Sequence, residues 1–342
     1  MASEKNREIR LKRRPAGMPS EADFELVETA VPEPGAGEVL VRNSYMSVDP
    51  YMRGRMVDRA SYVPPFQVGE VLSGGAVGVV VKSNNPRFKP GDQVNHFNGW
   101  REWFVSNGAD LQTVTPPPGI GVQAFLGALG MPGLTAYAGL LKVGALKDGE
   151  RVFVSAASGA VGAVVCQIAK AKGCYVVGSA GSDDKCAWLK EIGCDAVINY
   201  RKAGDLTAAV KAAFPQGIDV YFENVGGEHL DAALANMRMN GRIPVCGMIA
   251  QYNATELPPG PKNIINVIPM RLRIEGFIVS DYFSMMPEFI ADMSKWVAAG
   301  KMKWKETILD GIANAPKAFI GLFKGDNFGK MLVRLGPDKA AV

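Results

Sequence analysis

Hydrophobic and polar residues follow one pattern in the first third of the chain and a different one afterwards. Up to about residue 120, short runs rich in Val alternate with turn-forming Gly, Pro and Asn, as in 37–46, 74–83 and 89–105. This pattern is typical of short β-strands separated by turns. It predicts a compact, barrel-like β domain.

Beyond about residue 125, strand-length apolar runs alternate with segments that have helical spacing. The helical segments are 162–173 and 183–193, and the strand-like runs are 151–157, 174–180, 195–200, 219–225 and 242–247. Repeated strand–helix alternation requires right-handed crossovers, so it predicts a doubly wound parallel sheet. The tail 328–335 is strand-like again, and we expect it to return to the first domain.

The length of 342 residues favours two domains, each with its own core. The predicted fold class is therefore α/β. The first predicted domain is the β-barrel, over 1–125 and completed by 312–342. The second is the doubly wound domain, over 126–311.

Composition excludes several classes of protein. A net charge of +4 is too mild to indicate nucleic-acid binding. The basic cluster Arg10, Lys12, Arg13 and Arg14 is interpreted as a solvated edge; an RNA-binding arm, the alternative, predicts salt-sensitive binding. We find no secretory signal and no apolar run of about eighteen residues, so we expect a soluble cytoplasmic protein. The 5 cysteines lie within 166–246 and are expected to be reduced thiols.

The segment after the 151–157 strand has the features of a phosphate-binding turn. Ala156, Gly159 and Gly162 occupy the three positions of a dinucleotide-binding fingerprint, between a strand and a helix. Small residues allow the tight turn, the approach of backbone N–H groups to a pyrophosphate, and close helix–strand packing. A purely structural glycine turn is the alternative. The context favours a dinucleotide site.

The end of the next strand predicts which dinucleotide binds. An NAD site carries Asp or Glu there, whereas this chain has 178–182, Gly-Ser-Ala-Gly-Ser, which leaves room for a 2′-phosphate. Lys185 can pair with that phosphate and Ser182 can add a hydroxyl. Asp183 and Asp184 count against NADPH, but they are interpreted as first-turn acids of the following helix.

The residues that would bind catalytic zinc are missing. No cysteine precedes Cys166, and His96 and His229 are the only histidines. A zinc site needs Cys, His and carboxylate ligands, so none is predicted. His96 is expected to be a structural or surface histidine rather than a catalyst, and Trp100 and Trp103 are expected to anchor the core.

Without a metal to polarise oxygen, reduction of a conjugated enone is easier to support than reduction of a simple ketone. Hydride at the β-carbon moves charge to the carbonyl oxygen, where one hydrogen-bond donor stabilises the enolate. A tyrosine hydroxyl would suffice. The α-carbon would then be protonated by solvent or by that tyrosine.

Several strings resemble one branch of the medium-chain dehydrogenase/reductase family. It is the leukotriene B4 12-hydroxydehydrogenase/prostaglandin reductase branch, with plant double-bond reductases and bacterial curcumin reductases. The strings are 47–56, 130–140, 156–173, 221–227, 246–261, 276–282 and 319–335. The resemblance implies a GroES-like β domain with a Rossmann domain, dimerisation through the Rossmann sheets, and NADPH-dependent reduction of alkenals and alkenones.

The resemblance also implies roles for single residues. The Tyr252 hydroxyl would lie near the nicotinamide ribose and the substrate oxygen, and Lys185 and Tyr200 would surround the 2′-phosphate. The full predicted cofactor set is Thr135, Ala156, Ser158, Gly159, Ala160, Val161, Gly162, Ser182, Lys185, Tyr200, Asn224, Cys246, Tyr252, Phe277, Val279 and Asn327. The predicted substrate pocket contains Tyr51, Met52, Met131 and Tyr282.

Ordinary structural roles are the alternatives for several of these residues. Tyr252 can be an ordinary loop tyrosine, Asn327 a turn residue, and Tyr51 and Met52 packing residues. A zinc-free quinone reductase and a non-catalytic NADPH-binding protein are the competing functions.

Overall fold

The computed structural model describes residues 5–337. The chain divides into two units, of which the first is Met1–Leu126 with Glu306–Asn327 and Met331–Val342. The second is Gly127–Lys305 with Phe328–Lys330. The domain limits predicted at 125 and 312 stay a prediction.

Most strands of the first unit follow one another directly in the sequence, whereas helices separate most strands of the second unit. The strands are β1 (Lys5–Leu11), β2 (Phe24–Ala30), β3 (Val39–Ser47), β4 (Ala76–Ser83), β5 (Gln93–His96), β6 (Trp103–Ser106), β7 (Gln112–Thr113), β8 (Arg151–Val154), β9 (Tyr175–Ala180), β10 (Ala196–Asn199), β11 (Ile218–Phe222), β12 (Met237–Val245), β13 (Arg273–Gly276), β14 (Glu306–Asp310) and β15 (Lys330–Arg334). The helices are α1 (Met52–Arg55), α2 (Met131–Ala138), α3 (Gly162–Ala171), α4 (Asp183–Glu191), α5 (Leu206–Ala213), α6 (Gly227–Asn236), α7 (Val267–Met270), α8 (Met286–Ala298) and α9 (Ala315–Lys324).

The first unit is built on an antiparallel sheet. Its strand order is β14-β15-β3-β4-β5-β7, with β6 also paired to β3 and with β1 and β2 forming a separate pair. The strand-like tail forms β15, which pairs antiparallel with β3. The sequence did not reveal β14, because its residues are half-buried or exposed with no alternation of apolar and polar positions.

The core of the first unit gathers around aromatic rings. Trp100 is fully buried and stacks on Phe24 with ring centroids 5.9 Å apart. Trp103 is also buried, so the anchoring role predicted for both tryptophans is confirmed. His96 packs on Phe104, and its Nδ1 accepts a hydrogen bond from the Asn98 N–H, which is the structural role expected.

Arginines of the basic cluster near the start of the chain form ion pairs with carboxylates. Arg10 lies 2.6 Å from a carboxylate oxygen of Glu8, and Arg13 lies 2.7 Å from one of Asp23. These contacts agree with a solvated edge.

The second unit contains a six-stranded parallel sheet in the order β10-β9-β8-β11-β12-β13. This is the doubly wound order of a Rossmann fold, which confirms the predicted architecture. The strand predicted at 242–247 begins earlier, at Met237. Strand β13 escaped prediction because it is an exposed edge strand, so burial imposes no hydrophobic pattern on it.

The cysteines are free thiols, and all but Cys246 are buried. Cys166 and Cys174 are small side chains that fill buried positions of the second unit. Of the helices that the structure describes, none has both the length and the apolar character that a bilayer span demands.

Candidate cofactor and active site

The turn between β8 and α3 is tight and leaves little space for side chains at its ends. Ala156 has φ +45, in the left-handed region that residues with a Cβ seldom adopt. The Gly159 N–H donates to the Ala156 carbonyl at 2.9 Å. A Cβ on Gly162 would lie 2.5 Å from that same carbonyl oxygen and 2.8 Å from the Ala157 Cα. Only glycine therefore fits at the start of α3.

This turn is suited to hold a pyrophosphate. Helix α3 begins without a side-chain cap, so its first-turn N–H groups and its dipole favour an anion. The predicted residues Ser158, Ala160 and Val161 lie in the turn itself. The cradle is one that a Cβ at Gly162 would fill, which is the fit that a diphosphate needs.

A segment from the far end of the sequence lies against the turn. The Gly329 N–H donates to the Ser158 carbonyl at 3.0 Å. Gly329 has φ +68, and a Cβ there would lie 1.9 Å from the Lys305 carbonyl oxygen. Beside it, the Phe328 ring packs edge-on against Trp188. Sequence reasoning identified this tail only as a strand and missed its contact with the phosphate turn.

Strand β9 ends where the adenosine ribose is expected. Ser182 caps α4 by accepting a hydrogen bond from the Lys185 backbone N–H at 3.4 Å. Asp183 lies in the first turn of α4, as expected, and its carboxylate accepts hydrogen bonds from Lys202 and Asn199. These contacts, Lys202 first, hold the pKa of Asp183 below its ordinary value. Asp183 is thus engaged by partners on the β10 side.

Tyr200 directly follows β10 and approaches the turn between β9 and α4. Its backbone N–H donates to the Ala180 carbonyl at 3.2 Å. A Cβ on Gly181 would lie 2.8 Å from the Tyr200 hydroxyl, so the glycine makes room for it. Tyr200, Ser182 and Lys185 are therefore gathered at the carboxyl ends of β9 and β10. Two hydroxyls and one ammonium group are a donor set that fits a phosphate.

A buried carboxylate stands at the carboxyl end of β11. Glu223 is fully buried, and burial raises its pKa. Its Oε1 accepts hydrogen bonds from the hydroxyls of Tyr221 at 2.8 Å and Ser155 at 3.1 Å and from the N–H groups of Val225 at 2.6 Å and Gly226 at 2.9 Å. Glu223 thus joins the start of the phosphate turn to the loop after β11. Sequence reasoning missed it, although an acid directly after an apolar strand was a signal.

Asn224 and Cys246 lie beside this carboxylate. The Asn224 side-chain amide donates to the Ser155 carbonyl at 2.8 Å. The Cys246 N–H donates to the Glu223 carbonyl at 2.9 Å. The Cys246 residue is half-buried, but desolvation of its thiol and the nearby Glu223 raise the thiol pKa to about 12, so it stays neutral.

Tyr252 is fixed at the same edge of the sheet. It follows the turn Ile249–Gln251, and its hydroxyl oxygen accepts a hydrogen bond from the Met248 N–H at 3.2 Å. A Cβ on Gly247 would lie 2.9 Å from that hydroxyl. The Ile249 N–H donates to the Asn224 carbonyl at 3.2 Å, which ties the two loops together.

The other predicted residues of the second unit lie on α2 and after β13. The Thr135 hydroxyl donates to the Met131 carbonyl at 2.7 Å. Phe277 packs edge-on against Phe222 and Tyr282. Val279 begins the turn Val279–Met285.

Three predicted residues belong to the first unit. Tyr51 is half-buried, and desolvation of its hydroxyl raises the pKa well above the ordinary value. Met52 is fully buried in the core cluster, which is the packing role considered as the alternative. Asn327 follows α9. Their roles toward substrate and cofactor stay predictions.

Comparisons with known proteins show to which family the chain belongs. Residues 7–114 match a family described as N-terminal domain of oxidoreductase, and 160–295 match one described as zinc-binding dehydrogenase. The chain is 46% identical to an NADPH-dependent curcumin reductase of Escherichia coli over 98% of both chains. It belongs to the medium-chain dehydrogenase/reductase family, in the branch that the sequence resembled.

Other members of this branch are also similar to the chain over nearly its full length. A 2-alkenal reductase (NADP(+)-dependent) of Nicotiana tabacum is 45% identical over 96% of this chain and 97% of its own. Prostaglandin reductase 1 of Bos taurus is 44% identical over 95% and 97%. The crystal structure of CurA in complex with NADPH from Vibrio vulnificus has a TM-score of 0.91 at 43% identity, covering 97% of this chain and 99% of that one.

The family comparison also bears on fold and on metal. The predicted combination of a GroES-like β domain and a Rossmann domain is confirmed by these relatives. Within residues 5–337, no three or more His, Cys, Asp or Glu side chains are grouped so that they could hold a metal ion. The donor set of the described chain therefore does not fit the zinc in the second family's description.

Proposed function

We propose that the protein uses NADPH to reduce the carbon–carbon double bond of α,β-unsaturated ketones and aldehydes, without a metal. The observation that carries the proposal is the 46% identity over 98% of the chain to an NADPH-dependent curcumin reductase. The intact phosphate turn and the alkenal and prostaglandin reductases among its relatives support it.

The chain's own residues supply binding and orientation. The turn at 155–162 takes the pyrophosphate, while Lys185, Ser182 and Tyr200 take the 2′-phosphate. By the family resemblance, Asn224, Cys246, Thr135, Phe277 and Val279 would hold the nicotinamide half of the cofactor. When bound, NADPH supplies the hydride that goes to the β-carbon of the substrate.

Tyr252 performs the electrostatic part of the reaction. As the β-carbon is reduced, negative charge develops on the carbonyl oxygen of the substrate. The Tyr252 O–H donates a hydrogen bond to that oxygen and stabilises the enolate. Its contact with the Met248 N–H fixes where the hydroxyl lies, so little reorganisation is needed during the reaction.

A Tyr252→Phe variant tests this role. We expect turnover of an enone to fall by about 100-fold, which is the size of effect that one positioned donor has, while the Kd for NADPH stays within about twofold. Single-turnover kinetics and fluorescence titration of NADPH give the two quantities. Tyr175→Phe is the matched control, because the Tyr175 hydroxyl is exposed and donates only to the Ala213 carbonyl in the second unit. Full single-turnover rate in Tyr252→Phe contradicts the role.

The substrate class is tested with a panel of linear enones, 2-alkenals and quinones against NADPH and NADH. With 4-deuterated NADPH, the deuterium is expected on the β-carbon of an enone product. Reduction of quinones together with inertness toward every enone would instead support a quinone reductase. Binding of NADPH without its oxidation by any acceptor would support a non-catalytic role.

We propose that the protein forms a homodimer in the cytoplasm. Strand β13 ends the parallel sheet, and its residues are exposed, so its edge can pair with that of a second copy. Exposed Ile264, Ile265 and Ile268 precede this edge in the sequence and add apolar surface. The free thiols suit a reducing compartment. Light scattering that gives the mass of one chain would contradict the dimer.

A further inference from the structure

One buried titratable side chain has no part in the mechanism described so far. His229 lies in the first turn of α6 and is only 5% exposed. Its Nε2 is 2.8 Å from the Oγ of Ser179, a hydroxyl on β9 that is itself fully buried. The two residues are hydrogen-bonded directly below the end of the strand that approaches the adenosine ribose.

Tyr200 rests on this imidazole. The two ring centroids are 5.0 Å apart with an interplanar angle of 75°, which is a favourable edge-to-face contact. The Tyr200 hydroxyl also lies close to Gly181, where a Cβ would come within 2.8 Å of it. The tyrosine is therefore held between the imidazole and the β9–α4 turn. Because 37% of the Tyr200 side chain is exposed, these two contacts are what restrains its hydroxyl at the turn that carries Ser182 and Lys185.

A histidine meets two demands at this position. Its ring gives Tyr200 an aromatic partner for the edge-to-face contact, and its Nε2 provides the buried Ser179 hydroxyl with a hydrogen-bonding partner. A phenylalanine would meet only the first demand, and glutamine only the second. Alanine would meet neither, because it leaves both a buried hydroxyl without its partner and a void beside the ring.

We propose that His229 is a positioning residue for cofactor selectivity. Its imidazole, anchored by the hydrogen bond to Ser179, packs on the Tyr200 ring and so holds the Tyr200 hydroxyl where the 2′-phosphate of NADPH would bind. This inference rests on the proposed function, in which NADPH is the cofactor. It adds that selectivity depends on a residue that never touches the dinucleotide.

The proposal is tested with ligands that carry only the adenosine end. Calorimetry gives the Kd of adenosine 2′,5′-bisphosphate and of adenosine 5′-monophosphate for wild type and for variants. We expect His229→Ala to weaken the bisphosphate by about tenfold and the monophosphate by less than twofold, the size of effect of one misplaced hydrogen bond to a charged group. NADPH and NADH titrations should show the same contrast.

The double variant separates positioning from general destabilisation. If His229 acts through Tyr200, His229→Ala combined with Tyr200→Phe loses no more 2′-phosphate preference than Tyr200→Phe alone. His229→Phe and His229→Gln each remove one of the two contacts and keep the test available if the alanine variant does not fold. Asn236→Ala, a buried polar change at the other end of α6, is the matched control and should leave the preference unchanged.

The outcomes are distinct. A lower melting temperature with an unchanged ratio of the two Kd values in the His229 variants overturns the proposal, because it assigns His229 a merely structural role. Additive losses in the double variant overturn it as well. If wild type itself does not prefer the bisphosphate, the cofactor assignment under the proposed function fails, and the proposal for His229 fails with it.

Discussion

The two ends of the proposed NADPH site are built by different means. At the pyrophosphate end, the turn before α3 consists of backbone and small residues, and its shape depends on the missing Cβ of Gly162 and the φ of +45 at Ala156. At the adenosine end, the site consists of side chains. Lys185 comes from α4, Tyr200 from the end of β10, and His229 supports Tyr200 from α6.

The difference predicts which property each end controls. A backbone cradle recognises the diphosphate that NADPH and NADH share, so changes there should weaken both cofactors equally. Side chains around the 2′-phosphate distinguish the two cofactors, so changes there should alter their ratio. Affinity and selectivity are therefore expected to separate along the length of the site.

The largest effect is expected from Gly162→Ala. The added Cβ would lie 2.5 Å from the Ala156 carbonyl oxygen, so the turn must open. We expect the Kd of NADPH and that of NADH to rise together by about a hundredfold, as measured by fluorescence titration. Gly260→Ala is the control, since a Cβ there has nothing within 4 Å. Loss of NADPH binding alone would break the distinction between the two ends.

A smaller effect is expected at the carboxylate that supports the pyrophosphate end. Glu223→Ala removes the oxygen to which four groups donate hydrogen bonds, so the free energy of unfolding should fall by about 2.5 kcal/mol. Denaturant unfolding measures this loss. Glu223→Gln, which keeps an acceptor oxygen, should lose clearly less. The ratio of the two cofactor Kd values should stay constant in both variants, and a change in it would contradict the comparison.

The smallest effect is the pH dependence of the unfolding free energy that comes from His229, at the adenosine end of the site. Burial lowers the pKa of His229 to about 4, whereas an unfolded histidine titrates near 6.5. The unfolded state therefore binds the proton first, and stability contributed by the neutral imidazole is lost as pH falls from about 6.5 toward 4. At pH 5 the loss is about 2 kcal/mol. His229→Gln should flatten the fall in unfolding free energy between pH 7 and pH 5 by that amount.

His96 provides the matched comparison in the first unit. Burial lowers its pKa to about 3, so His96→Gln should flatten the same acid limb by a similar amount. Unlike His229→Gln, it should leave the ratio of NADPH to NADH affinity unchanged. An acid limb that is identical in wild type and both variants would mean that neither buried histidine controls it.

Sequence reasoning recovered the parts of the site that depend on neighbouring residues. The phosphate turn was predicted at Ala156, Gly159 and Gly162, and the first-turn position of Asp183 was predicted from the helix that follows. The strands β8, β9 and β11 were predicted because burial on both faces makes them largely apolar runs. The lack of zinc-ligating cysteines before Cys166 directed the interpretation toward metal-free chemistry.

The sequence by itself thus determined local conformation and the class of chemistry, because turns, caps and strand-forming runs are decided by residues close together in the chain. Only the tertiary structure decided which distant residues meet. Glu223 with Ser155, His229 with Ser179, and Gly329 with Ser158 are joined by the crossovers of the sheet and by the returning tail. Such contacts form where parallel strands end at one edge, and no periodicity along the chain records which side chains arrive there.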